Sequence, residues 1–204
     1  MTTVRENPWF EIDDPDDEFG FDETERAFAA ALRTSAASWT VPYAHSWIGR
    51  PDDDSTLLAV VALSDDHARV SLVDVGVHLG GSTVRGDRLH NQLYFLPDRP
   101  TGLAMEATGS PQELGERAAA WFEAILRKPI VRHEWEHAGQ LYARRYLFAD
   151  TGEGLCQSYN QNLAPKGQPK SLIAAGHVVG RGWVQTSGLD RPHRVVAIRG
   201  NAPA

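Results

Sequence analysis

Polar and apolar residues alternate along RVSLVDVGVHL (69–79), which puts Val73, Val75, Val77 and Leu79 on one face of an extended segment. The preceding run, LLAVVALS (57–64), is apolar almost without interruption, as in a short strand buried on both faces. RLHNQLYFL (88–96) alternates again, with Leu89, Leu93 and Phe95 set against His90, Gln92 and Tyr94. TGLAMEATG (101–109) is a weaker fourth strand. GGSTVRGD and PDRP, rich in turn residues, read as the connectors on either side of the third strand.

Helical spacing brackets this meander. Asp22 and Glu25 form an Asp-x-x-Glu start signal, followed by a stripe of Phe28, Ala31, Leu32 and Ser35. Ser110-Pro111-Gln112-Glu113 is a stronger one: Ser can cap, Pro suits a first turn whose N–H needs no partner, and Glu can reach back to the cap. Leu114, Ala118, Trp121, Phe122 and Ile125 then line one side, and Pro129 stops the helix after Arg127-Lys128. Helices are therefore expected over about 22–38 and 110–128.

Beyond residue 130 the period shortens. PIVRHEWEH and QLYARRYLFAD read as the arms of a β-hairpin (131–149) around Ala138-Gly139. TGEGL and QNLAPKGQPK are loop-like, SLIAAG is a short helix ending on Gly176, and VVGRGWVQTS and RVVAIRG look like closing strands. The fold class expected is α+β, an antiparallel sheet flanked by the two main helices, followed by the hairpin and a small β/α closure. The helix–meander–helix order over 22–128 resembles the layout of small secretion-chaperone and immunity-protein domains, without a motif that would name a family.

Charge is distributed unevenly. The chain of 204 residues carries a formal −7. Its N-terminal part holds the acidic run DDPDDE with Trp9, Phe10, Phe19 and Phe21 around it, whereas Lys and Arg outnumber Asp and Glu after residue 127. Three parts follow: an acidic flexible segment (1–21), an α+β core (22–130), and a basic hairpin and C-terminal unit (131–204) packed on that core as one domain. The acidic and basic ends can attract each other within the fold or across a homodimer, or the basic third can meet an anionic partner. Cys156 is the only cysteine, so no intramolecular disulfide forms, which fits a reducing, cytoplasmic setting. No apolar run approaches the roughly 20 residues a spanning helix needs, so no membrane is expected.

One motif names a chemistry. His133-Glu134-x-x-His137 spells a zinc-protease helix, with the histidines as ligands and Glu134 as general base. The spelling works only on a helix, where residues four apart lie about 6 Å from each other; on a strand they lie about 13 Å apart. Pro129 and Gly139 bracket the motif, Glu136 puts a charge where such a helix is buried, and strand alternation fits Val131, His133, Trp135 and His137 well. A strand is expected, which leaves zinc hydrolysis as the alternative and no cofactor in the leading reading.

On that strand a plain hairpin register sets Trp135 opposite Tyr142, His133 opposite Arg144 and Val131 opposite Tyr146, an aromatic and cationic face suited to contact with another protein. The opposing expectation is that Trp135 and Tyr142 cover the 110–128 helix while Arg144 reaches water. His78 and His90 lie symmetrically about position 84, where a hairpin would set them opposite each other as a possible metal pair, with Asp74 facing Tyr94. GGST lacks the lysine of a phosphate loop, and no RRM, KH or zinc-knuckle pattern accompanies the aromatics, so nucleic acid is not expected.

The function expected is a non-enzymatic protein-binding accessory factor, of adaptor, chaperone-like or immunity type. It would use Trp135, Tyr142, Arg144 and Tyr146 together with Trp9 and Phe10 from a segment dispensable for folding. Zinc hydrolysis by His133, Glu134 and His137, and anion or nucleic-acid binding by the basic third, are the alternatives.

Overall fold

Both helices begin where their capping signals place them. A computed structural model of the chain describes residues 9–12, 20–41, 44–50, 56–90 and 94–200. Helix α1 (Glu23–Ala36) starts on Asp22, whose carboxylate accepts the Glu25 N–H at 2.8 Å while the Asp22 N–H donates to Glu25 at 2.7 Å. Arg50 adds an ion pair to the same Glu25 carboxylate at 2.6 Å. Helix α2 (Pro111–Leu126) repeats the reciprocal cap with Ser110 and Glu113. The two helices approach closely at Gly115, where a Cβ would lie 2.6 Å from the Phe28 carbonyl oxygen; only glycine fits without a shift.

The fold is α+β, and the chain divides into two units, residues 1–127 and 128–204. The first unit contains α1, α2 and a five-stranded antiparallel sheet in sequential order: β1 (Ala44–Gly49), β2 (Leu57–Asp65), β3 (Val70–Gly80), β4 (Thr83–Arg88) and β5 (Met105–Thr108). β2 lies between β1 and β3 and its first five residues are all buried, which is why its sequence is apolar rather than alternating.

Three parts of the meander differ from expectation. GGSTVRGD is not a connector: Gly81-Ser82 make a two-residue turn, with Gly81 at φ 61°, and Thr83–Arg88 form β4. The expected strand over 88–96 contributes one isolated bridge, His90 with Phe95, and residues 91–93 lie outside the described residues. β1, whose sequence AHSWIG does not alternate cleanly, is an additional strand paired with β2.

Residues 1–8 and 13–19 also lie outside the described residues, but Trp9 and Phe10 belong to the first unit. Phe10 is fully buried, its ring 5.3 Å from Phe122 and 6.1 Å from Trp39. Its N–H donates to Ser46 Oγ at 2.8 Å, its carbonyl accepts from Arg33 Nε at 3.0 Å, and Trp9 Nε1 donates to the Trp39 carbonyl at 3.1 Å. Glu11 bridges Trp47 in parallel along β1. Phe10 is thus a packing residue and the half-buried Trp9 packs on Trp39, rather than the two standing free as a contact surface.

The second unit is built on a four-stranded antiparallel sheet, ordered β11-β6-β7-β8. Its strands are β6 (Ile130–His137), β7 (Gln140–Phe148), β8 (Gly154–Tyr159) and β11 (Arg194–Arg199). β6 and β7 meet at Ala138-Gly139, both at positive φ (51° and 75°), the twist a two-residue hairpin needs. Between β8 and β11 come α3 (Gln168–Ala174), the small hairpin β9 (Val178–Val179) with β10 (Trp183–Val184), and a 3-10 turn at Thr186–Gly188. β8 takes in the end of the segment that reads as loop, TGEGL. Among the described residues no helix is long and apolar enough to cross a membrane.

Replacing Phe10 with Ala should cost about 3–5 kcal/mol of stability, the range for emptying a buried aromatic site. Urea unfolding of the F10A chain, followed by tryptophan fluorescence, measures this; an unchanged midpoint would contradict the packing role.

Candidate functional site

The His-Glu-x-x-His residues all lie on β6, an extended strand. Four positions along a strand separate His133 from His137 by about 13 Å, beyond the reach of one metal ion. Glu134 points to the opposite face from both. Among the described residues no three His, Cys, Asp or Glu side chains gather into a group able to hold a metal. The zinc-protease arrangement therefore lacks its geometry here.

A β-bulge sets the faces of this sheet. Glu136 pairs with Leu141 and Trp135 with Ala143, leaving Tyr142 as the extra residue. Every later pair is displaced by one from a plain hairpin: His133 faces Arg145, and Val131 faces Leu147. Arg144 and Tyr146, expected beside the histidines, instead lie across from Glu134 and Arg132 on the other face.

The first face is a covered core. Trp135, Tyr142 and Ala143 cluster beneath Tyr159, Leu163, Ala164 and Leu189, all from the same unit. Trp135 Nε1 donates to the Asp190 carbonyl at 2.8 Å. Gln168 joins two tyrosines, donating to Tyr142 Oη and accepting from Tyr159 Oη, both at 3.1 Å. Trp135 and Tyr142, at 4% and 5% exposure, are not available as a contact surface. Residues of their own unit cover them, so helix 110–128 is not needed for that role. On the same face, burial first and the Arg145 charge second hold the His133 pKa below its ordinary value.

On the second face sits a buried carboxylate. Glu134 is 1% exposed, and both of its oxygens are engaged: Oε1 accepts from Arg132 Nε at 2.8 Å and Oε2 from Arg194 Nε at 2.6 Å. Arg132 lies over the Tyr146 ring, its guanidinium carbon 5.7 Å from the centroid, and also donates to Tyr146 Oη at 3.3 Å. Tyr146 is itself buried, so the fourth residue of the expected patch is a structural neighbour of Arg132. Glu134 serves here as a charge partner, without a free oxygen to act as a base.

The strand pairings set two rows across this face. Arg194, Glu134, Arg144 and Ser158 follow one another over β11, β6, β7 and β8; Val196, Arg132, Tyr146 and Cys156 form the adjoining row. Arg144 is half-buried, and its Nε is buried with no hydrogen-bond partner among the described residues. Arg194 and Ser158 are exposed.

The second histidine pair does not form. The Gly81-Ser82 turn sets His78 opposite Arg85, and His78 Nε2 donates to the Tyr94 carbonyl at 2.9 Å. His90 lies outside β4, its N–H bonded to the Phe95 carbonyl at 2.8 Å. Asp74 pairs with Ala62 rather than Tyr94; burial raises its pKa and Arg88 opposes the rise.

The exposed residues escape a search for aromatic clusters. Trp183 is 76% exposed and Val179 58% exposed, directly opposite each other on the β9–β10 hairpin. A tryptophan between Gly182 and Val184 reads as one more strand position, and its exposure is not legible from that pattern.

Replacing Glu134 with Ala should cost about 3–5 kcal/mol, since it leaves Arg132 partly buried without its counter-charge; chemical denaturation gives the value. A depressed His133 pKa means the unfolded chain binds the proton more readily. Its contribution to stability is complete above about pH 6.5 and falls away as the pH drops through the lower folded value. Unfolding free energies from pH 8 to pH 5 should fall more steeply for the native chain than for His133→Gln. No family model, curated protein or solved structure matches the chain.

Proposed function

We propose that the chain is a non-enzymatic, protein-binding accessory factor of the cytoplasm, and that it meets its partner through the β9–β10 hairpin. The observation that carries this reading is the exposure of Trp183, at 76%, with Val179 directly across from it. Arg181 stands exposed between Gly180 and Gly182 at the turn. Trp and Arg are the residues most enriched where interface energy concentrates, and a solvated indole gives up unfavourable hydration when a partner covers it.

The hairpin is held before any partner arrives. Gln157 on β8 donates to the Val184 carbonyl at 2.9 Å and accepts from the Thr186 N–H and hydroxyl at 2.8 and 2.6 Å. Gln185 N–H donates to the His177 carbonyl at 2.9 Å. A surface fixed in advance loses less conformational freedom on binding. The cytoplasmic setting rests on the single cysteine.

Affinity capture from nuclease-treated extract, quantified for the native chain, Trp183→Ala and Phe95→Ala, tests this. Both variants alter exposed side chains and should keep stability within about 0.5 kcal/mol. Trp183→Ala should lose a near-stoichiometric protein partner that Phe95→Ala retains. Equal recovery by all three chains, or loss of every partner on nuclease treatment, would overturn the reading.

A further inference from the structure

We propose that a cavity beside β4 and β5 binds an alkylammonium ion, with its charge on Asp87 and its hydrocarbon chain on an apolar wall. The cavity has a volume of about 160 Å³, enough for a molecule of roughly the size of benzene. Leu96, Pro97, Pro100 and Met105 supply the apolar wall. Asp87 forms another part of the lining, and at 3% exposure it is the one buried charge there. Its carboxylate accepts from the Arg88 N–H at 2.6 Å, the Thr101 N–H at 2.8 Å and the Thr101 hydroxyl. All three donors are neutral, so among the described residues no cation is paired with this carboxylate. A carboxylate has about four acceptor positions. The one left over is on Oδ2, which holds only the Thr101 N–H.

A buried carboxylate without a counter-charge is costly, and a cation that reaches it offsets the cost. The other charges of the lining do not supply one. Arg85 and Glu106 face each other across β4 and β5, 3.6 Å apart and about two-thirds exposed at 64% and 66%, and cancel each other. The lining therefore carries a formal −1, which a monocation balances and a zwitterion or an anion does not. An ammonium suits the space because its donors sit at the end of a slender chain that can lie along an apolar wall, whereas a guanidinium is a broad plane. The wall is set before any ligand arrives. The Leu103 N–H donates to the Thr101 hydroxyl oxygen at 3.1 Å, and Trp121 Nε1 on α2 donates to the Leu103 carbonyl at 2.7 Å. Residues 101–103 are thus tied to β4 on one side and α2 on the other, so binding requires little new ordering. A free amine and a lysine side chain share this chemistry, and two probes separate them.

The experiment titrates the full chain with pentylammonium, pentan-1-ol and Nα-acetyl-lysine methylamide at about pH 7.5, where an alkylamine is protonated, and follows the N–H resonances by NMR. Saturable shifts at the Gly86 and Thr101 amides and the Trp121 indole are expected. Pentylammonium should bind about tenfold tighter than pentan-1-ol, the difference between a charge-assisted and a neutral hydrogen bond. Equal or tighter binding of Nα-acetyl-lysine methylamide assigns a lysine side chain, and weaker binding assigns a free amine. Arg85→Gln removes a like charge and should tighten pentylammonium about two- to fivefold, whereas Glu106→Gln should weaken it by a similar factor. Both side chains are largely exposed, so neither change should disturb the fold. Asp87→Asn should abolish binding; if that chain does not fold, the opposed effects of the other two variants decide the matter. Absence of saturable shifts at these positions, pentan-1-ol binding as tightly as the cation, or undiminished affinity in a folded Asp87→Asn chain would overturn the proposal. So would failure of Arg85→Gln to tighten binding or of Glu106→Gln to weaken it.

Discussion

One extra residue, Tyr142, decides which side chains meet in the second unit. Cross-strand partners share a face, so displacing the pairing by one position exchanges everything beyond it. With the bulge, Trp135 meets Ala143 and the two together with Tyr142 make a dry cluster. The same displacement carries Arg144 and Tyr146 to the side of Arg132 and Glu134. Without the bulge, Arg144 would stand beside His133 and the carboxylate would keep company with Arg145. The covered aromatics, the meeting of Tyr146 with Arg132 and the Arg145 charge beside His133 all follow from this register.

Local chemistry was readable from the sequence where it acts over a few residues. Both helix starts lie within one capping box, and Ala138-Gly139 satisfies the positive φ angles of a hairpin in two residues, so these features need no tertiary information. The strand assignment of HEWEH followed from Pro129, Gly139 and alternation for the same reason. What stayed hidden depends on distant partners. β1 is a strand because β2 offers it an edge, not because AHSWIG has a strong pattern. GGSTVRGD looks like a loop because of its glycines, yet Gly86 is a strand position that leaves room for a neighbour; a Cβ there would lie 2.6 Å from Val77 Cγ1.

The candidate site was less readable, and for a related reason. Residue types pointed to aromatic and cationic contact, but an exposed tryptophan and a buried one have the same letter. Trp135 is covered by residues 24 to 54 positions further along, whereas Trp183 on the β9–β10 hairpin is left exposed. Phe10 is the mirror case: an acidic neighbourhood suggested solvent, yet its ring fills a gap beside Phe122. The role of Glu134 in turn depends on Arg194, whose place next to β6 comes from sheet order alone.

That dependence has a consequence for how the molecule is made. During synthesis β6 and β7 emerge early and can close their hairpin alone, but the second cation for Glu134 lies 60 residues later. Until β11 docks, the carboxylate either keeps its water or leaves a sheet face half-compensated, so the earlier strands gain little from packing it away. The second unit is therefore expected to lock in one late step, when the Arg194 strand arrives, rather than strand by strand. A ribosome that stalls shortly before this strand would release a chain whose hairpin is formed and whose charge row is open.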